Sequence, residues 1–245
     1  MSAPKNAVPQ ITSLKFEELS FGYEGSERLL SETSFDFPMN RMVKIDARDG
    51  SGKSSLLRLL AGLLEPTGGH YLINDLKVNE MSFEEFLSLR LQIGYSFDLG
   101  GLLNNKTLAE NIGLPLLYHK VCSQEEAHER TQAMIAAFGL EAASSKRPSA
   151  VRGSDRKATC LARALIMKPQ VVLLDDPTTG LSLGLTERLV GVLQGQMKEN
   201  LKHIFIASDD QKILSEFTTH RIEIVHHKML DIEKMEADRK ASEVA

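Results

Sequence analysis

Gly50, Gly52, Lys53 and Ser54 stand in the order that closes the pattern G-x-x-x-x-G-K-[ST], inside the stretch MVKIDARDGSGKSSLLRLLAGLL (Met42 to Leu64). The chemistry of that pattern is phosphate binding. Glycines let backbone N–H groups close around phosphate oxygens, and the lysine reaches the β- and γ-phosphates. The hydroxyl sits on Mg²⁺, and the helix that follows adds the positive end of its dipole. The candidate cradle is Ala47, Arg48, Asp49, Gly50, Ser51, Gly52, Lys53, Ser54 and Ser55. Ala47 stands where the pattern has its first glycine; if that position requires φ > 0, alanine costs about 1–2 kcal/mol there. The alternative is an ordinary strand–turn–helix with a surface lysine. A second signal is VVLLDDP, Val171 to Pro177: an apolar strand ending in Asp175, which aims a carboxylate at a phosphate loop and its Mg²⁺. Each signal alone is weak. The pair, with 122 residues and a helical section between Lys53 and Asp175, is much stronger.

The elements that must position these groups are legible from periodicity. Met42–Ile45 reads as the strand before the loop, and an amphipathic helix begins near Lys53. Upstream, Leu14–Phe21 and Thr33–Phe37 read as strands, with Gly22, Tyr23 and Gly25 in the turn between them. Tyr71–Val78 reads as a strand pair turning at Asn74–Asp75. Ser82 with Glu85 predicts a capping box for a helix up to Arg90, and Ile93–Phe97 a buried strand. From Asp98 to Lys157 strand signals vanish. Thr107–Tyr118 is a helical pattern cut by Pro115, and Ser123 with Glu126 starts a helix closed by Gly139. Strands return at Val171–Leu174, His203–Ala207 and His220–Val225, with a helix at Leu183–Glu199.

The expected division is a loose leader (1–13), an α/β nucleotide-binding core (14–97 and 158–230), an inserted helical subdomain (98–157) and a peripheral charged tail (231–245). The net charge of −4 gives no support for a nucleic-acid partner. The longest apolar run, Leu56–Leu64, is short and broken by Arg58, so no segment is expected to span a bilayer. Cys122 and Cys160 lack metal-ligand spacing and read as thiols of a reducing compartment, with the cytoplasm as the default.

With both signals in place, the chain resembles the ATP-binding-cassette (ABC) ATPases from Leu14 to His226, most specifically over LARALIMKPQVVLLDDPTTGLS (Leu161–Ser182). The resemblance implies a P-loop NTPase core, a RecA-like parallel sheet with an antiparallel β part, carrying an inserted α-helical subdomain. It implies ATP and Mg²⁺ as cofactors, with Ser54 and Asp175 as metal ligands and Tyr23 as the ring that stacks on adenine. Counting back from Ala162–Arg163, the family's signature LSGGQ falls on Val151, Arg152, Gly153, Ser154 and Asp155. Asp98 takes the place of the family's Q-loop glutamine, Asp176 of its catalytic glutamate, Ser182 of its D-loop aspartate and Ser208 of its switch histidine. Gly100–His119 looks most like cassettes serving bacterial lipid-trafficking permeases.

The departures concentrate on one half of the site. Groups that hold nucleotide and metal are kept, whereas those that act at the γ-phosphate or the attacking water are replaced: Asp98, Arg152, Asp176, Ser182 and Ser208. Of the catalytic pair implied by the resemblance, Lys53 is intact and Asp176 is one carbon short, and a misplacement near 1 Å can cost about a hundredfold in rate. The pattern implies binding kept and hydrolysis weakened. It fits the ATP-binding subunit of a membrane transporter, peripheral on the cytoplasmic face of the inner or plasma membrane. Its implied partners are an integral membrane permease and a second cassette, a heterodimer ahead of a homodimer. Two alternatives stay open: a soluble nucleotide-gated regulatory or scaffold protein, and an active ATPase with atypical site residues. Asp98 is also readable as a helix cap or a solvated carboxylate, and Ser208 with Asp209 as the cap of a helix over 210–217.

Overall fold

The computed structural model describes residues 9–47, 52–98, 101–208 and 218–244. Two sheets carry the chain. The first is antiparallel, in the order β2-β1-β4-β5, formed by β1 (Leu14–Phe21), β2 (Leu30–Asp36), β4 (Gly68–Ile73) and β5 (Leu76–Lys77). The second has the order β10-β9-β3-β8-β7-β6, with β3 (Met42–Ala47), β6 (Ile93–Ser96), β7 (Val171–Asp175), β8 (His203–Ala207), β9 (His220–Val225) and β10 (Lys228–Asp231). Its strands pair in parallel except for the β9–β10 hairpin.

A parallel sheet covered on both faces needs strands that are apolar on both, and β7 and β8 are buried at every position. Val171, Leu173, Phe205 and Ala207 face one core, which the antiparallel sheet and α1 (Lys53–Leu60) close. Val172, Leu174, Ile204 and Ile206 face the other, closed by α3 (Leu108–Tyr118), α4 (Gln124–Phe138), α5 (Gly153–Leu165) and α6 (Leu183–Met197). The two-residue period of the strands thus sorts alternate side chains into two layers. Gly94 of β6 lets α5 come close: a Cβ there would lie 2.2 Å from the Ala164 carbonyl oxygen.

The local signals act as their chemistry predicts. Ser82 caps α2 (Phe83–Arg90) with both bonds of the capping box present, and Thr107 with Glu110 does the same for α3. Ser123 caps α4 through the Glu126 N–H, and Gly139 ends it in the left-handed conformation, φ 65°. Elsewhere the structure corrects the expectation. Pro115 does not cut α3. The helix runs three residues past it, because Leu116 is fully buried in the second core and the His119 N–H closes on the Pro115 carbonyl. The leader is not loose from residue 9 onward. Ile11 is buried, its N–H donates to Gln170 Oε1 at 2.8 Å, and its carbonyl meets His203 Nε2 at 3.1 Å. The expected boundary after Lys157 falls inside α5. β10 precedes the tail, whose helix α7 (Ile232–Val244) packs on β9 and β10.

Candidate nucleotide site

Strand register brings the two halves of the motif together. Asp175, the last residue of β7, is level with Ala207 on β8, and Ala207 is level with Ile45 on β3. The loop that leaves β3 and the carboxylate that ends β7 therefore emerge at the same carboxyl edge of the parallel sheet, where α/β sheets place their ligands. At that edge Ser54 Oγ donates to Asp175 Oδ1 at 2.8 Å, across 121 residues of sequence. Tyr95, from β6, donates its hydroxyl to Asp175 Oδ2 at 3.4 Å.

The start of α1 explains one glycine. Gly52 has φ 100°, and a Cβ on it would lie 1.9 Å from Leu29 Cδ1, so glycine answers both a left-handed backbone and a close approach. Ala47 closes β3 without a positive φ, so the penalty considered for alanine does not arise. Arg48, Asp49, Gly50 and Ser51 lie outside the described residues, as does the helix expected over 210–217. Lys53 opens α1 with its side chain buried. Tyr23 is half exposed at the neighbouring turn, stacked edge-on against Phe21, its hydroxyl 3.0 Å from Ser55 Oγ.

Burial sets the electrostatics. Asp175 is buried, and desolvation raises its pKa. The Ser54 bond opposes that rise, the charge of Asp98 adds to it, and Arg58 and the Tyr95 hydroxyl oppose it again. Tyr95 is pushed up to about 12, first by burial and then by the neighbouring charge of Asp175. Arg58 lies against the Tyr95 and Tyr23 hydroxyls, which hold its pKa above the ordinary arginine value. A serine hydroxyl and a carboxylate from separate elements are hard oxygen donors, the set that suits Mg²⁺.

The residues of the second half are placed as follows. Asp176 follows β7 in the left-handed region, φ 46°, with its N–H on the Ala207 carbonyl and Ser208 Oγ 3.3 Å from its Oδ1. Aspartate tolerates that conformation better than most residues. Ser182 caps α6 through the Leu185 N–H. Arg152 is the N-cap residue of α5 and pairs in two bonds of 3.2 Å with Asp155 in that helix's first turn. Val151 precedes the helix, and Gly153 and Ser154 begin it. Asp98 keeps an exposed side chain but is paired: Lys157 Nζ binds it through Oδ1 at 3.1 Å and the carbonyl at 3.0 Å. Lys157, Tyr95 and Arg58 are the residues sequence reasoning passed over.

Beside the site, a groove of about 350 Å³ opens between α2, the end of α3 and β6, lined by Phe83, Leu87, Tyr95, Pro115, His119 and Met167. Phe83 and Tyr118, at 74% and 75% exposure, stand out on those two helices. No helix among the described residues is long and apolar enough to cross a membrane.

A family model described as ABC transporter matches residues 30–179, well over half of the chain. The chain belongs to the ABC transporter family. It is 33% identical over 172 residues to the methionine import ATP-binding protein MetN 2 of Burkholderia mallei, and equally to that of Burkholderia pseudomallei. Those matches cover 70% of this chain and 43% of theirs, so the chain aligns with under half the length of these curated relatives. Among solved structures, it is 26% identical to the dimeric structure of MJ0796, a bacterial ABC transporter cassette, with a TM-score of 0.79 over 88% of this chain and 95% of that one. The dimeric post-hydrolysis state of the same cassette, bound to ADP and Pi, superposes with a TM-score of 0.80 over 89% of this chain and 98% of that chain, at 24% identity. The fold is therefore the ABC cassette fold: an α/β core with a parallel sheet, an antiparallel part and a helical portion.

Proposed function

We propose that this cassette binds Mg²⁺-ATP as the nucleotide-binding subunit of a membrane transporter and cleaves it slowly or not at all. The observation that carries the reading is the 2.8 Å bond between Ser54 and Asp175, which joins the two halves of a phosphate-and-metal site across 121 residues. Lys53 and the backbone of the loop hold the phosphates, Tyr23 takes the adenine, and Ser54 and Asp175 hold Mg²⁺. When bound, the ion screens the phosphate charge and fixes the oxygens it shares.

Turnover is where the chain's own residues fall short. Phosphoryl transfer is almost entirely positioning and charge stabilisation. Asp176 has a short side chain on a left-handed backbone, and Ser208 Oγ donates to it at 3.3 Å, a hydroxyl that offers no cationic or imidazole contact to a γ-phosphate. Asp98 is held by Lys157, and Arg152 by Asp155.

The subunit works beside an integral membrane permease and a second, intact cassette. In the family each ATP lies between one chain's phosphate loop and the other's signature. One site then joins Lys53, Asp175, Asp176 and Ser208 to the partner's signature and keeps its ATP. The other joins the partner's complete catalytic set to Val151–Asp155 and cycles. The section 98–157 and the adjoining α2 meet the permease; the groove between α2 and α3, lined by Phe83, and the exposed Tyr118 on α3 favour that role over a free scaffold. Mass measurement of the complex from native membranes tests the assembly: a permease with one copy of this chain and one of a second cassette is expected. Two copies of this chain facing each other, with no second cassette, end the heteromer.

A further inference from the structure

Lys157 sits on the inner face of α5 with only 7% of its side chain exposed. Its three N–H bonds have three acceptors: Asp98 Oδ1 at 3.1 Å, the Asp98 carbonyl at 3.0 Å and the Asp175 carbonyl at 3.4 Å. A buried ammonium is costly unless it is paired, and a methionine of similar volume would fill that face without the cost. Packing therefore does not explain the lysine. Its acceptors do: Asp98 follows β6, Asp175 ends β7, and both stand at the edge of the sheet where Ser54 and Asp175 meet. Lys157 Nζ touches the Asp98 carboxylate and the Asp175 carbonyl at once, so whatever neutralises Asp98 also sets the field that a cation meets at Ser54 and Asp175.

We propose that Lys157 is a positioning residue that fixes the charge of the cation site: it neutralises Asp98 beside Asp175 and ties the ends of β6 and β7 to α5. The inference rests on the proposed role of Ser54 and Asp175 in holding the metal of Mg²⁺-ATP. With Lys157 in place, the site holds a divalent cation less tightly than its two neighbouring carboxylates alone would. The cation then binds chiefly together with the nucleotide phosphates.

The test uses Mn²⁺ as the probe. Free Mn²⁺ is followed by electron paramagnetic resonance in titrations of the full chain, with and without a non-hydrolysable ATP analogue. The comparison spans the unaltered protein, Lys157→Met, Asp98→Asn and the double variant. Lys157→Gln, which keeps a donor toward the carbonyls without the charge, runs in parallel in case the methionine variant does not fold. Removing the ammonium should tighten Mn²⁺ about tenfold, and Asp98→Asn should loosen it by a similar factor. The double variant should return to within about threefold of the unaltered protein. A lysine needed only for packing would loosen Mn²⁺ wherever Lys157 is replaced, and that result overturns the proposal. A double variant as weak as Asp98→Asn alone also overturns it, since Asp98 would then ligate the cation itself, and so do equal affinities throughout. Failure of the nucleotide reading looks different: the analogue does not bind and Lys53→Ala makes no difference, while the nucleotide-free titrations still rank the variants.

Discussion

Asp175→Asn separates what the site does for function from what it does for the fold. Asp175 is 4% exposed, its two oxygens meet one hydroxyl each, and the charge of Asp98 lies close by. Asparagine keeps the shape and an acceptor, and the hydroxyl facing its NH₂ can turn to accept. What disappears is a desolvated charge. The pKa of Asp175 is raised in the folded protein, so the folded state holds that proton more tightly than the unfolded chain does. Its ionised form therefore lowers stability at neutral pH, and the loss is relieved as pH falls through the folded pKa. Relieving a strained functional site commonly gains about 0.5–2 kcal/mol. At about 2–4 °C per kcal/mol for a chain of this size, the variant should melt roughly 1–8 °C higher near pH 7 without nucleotide. The gain should shrink toward acid pH and vanish below the ordinary aspartate range. Scanning calorimetry from pH 3 to 8, with and without Mg²⁺-ATP, measures both effects. The variant should also lose the stabilisation that Mg²⁺-ATP gives the unaltered protein. A variant that melts lower at pH 7, or whose difference grows toward acid, refutes the electrostatic reasoning.

Steady-state phosphate release by the isolated chain should fall far below the usual enzyme range of about 1–10³ s⁻¹. Asp176→Glu alone should recover little, because catalytic groups that act as a unit are strongly non-additive; turnover within that range in the unaltered protein contradicts this. Gly94→Ala forces a methyl group into the Ala164 carbonyl and should lower urea stability by about 1–3 kcal/mol, whereas a neutral outcome would mean that α5 can shift away from β6 at no cost. Ser82→Ala removes one half of the α2 capping box and should cost about 1 kcal/mol in the same assay, with the denaturant slope unchanged.

What the sequence disclosed was mostly local chemistry. Ser82 with Glu85, Ser123 with Glu126 and Gly139 each act on backbone groups within one turn, so spacing alone places them. Val171–Asp175 was legible because a strand buried on both faces leaves a continuous apolar run. β10 was not, because His226 and His227 make its turn in left-handed conformations usually filled by Asn-Gly. The continuation of α3 past Pro115 depends on a core that Leu116 enters from another part of the chain. The partner of Asp98 lay 59 residues away on α5, and only the fold brings Lys157 to it. The site was half legible for the same reason: the phosphate-loop helix and Asp175 could be named from their motifs, while Tyr95 and Arg58 become part of it only when β6 and α1 meet.

Isothermal titration of the purified chain with ATP tests the central claim most directly, with Mg²⁺ present and absent and with Lys53→Ala alongside. Saturable binding that weakens without Mg²⁺ and weakens again in Lys53→Ala is the expected result. An unaltered chain that takes up no ATP under any of these conditions would contradict the account.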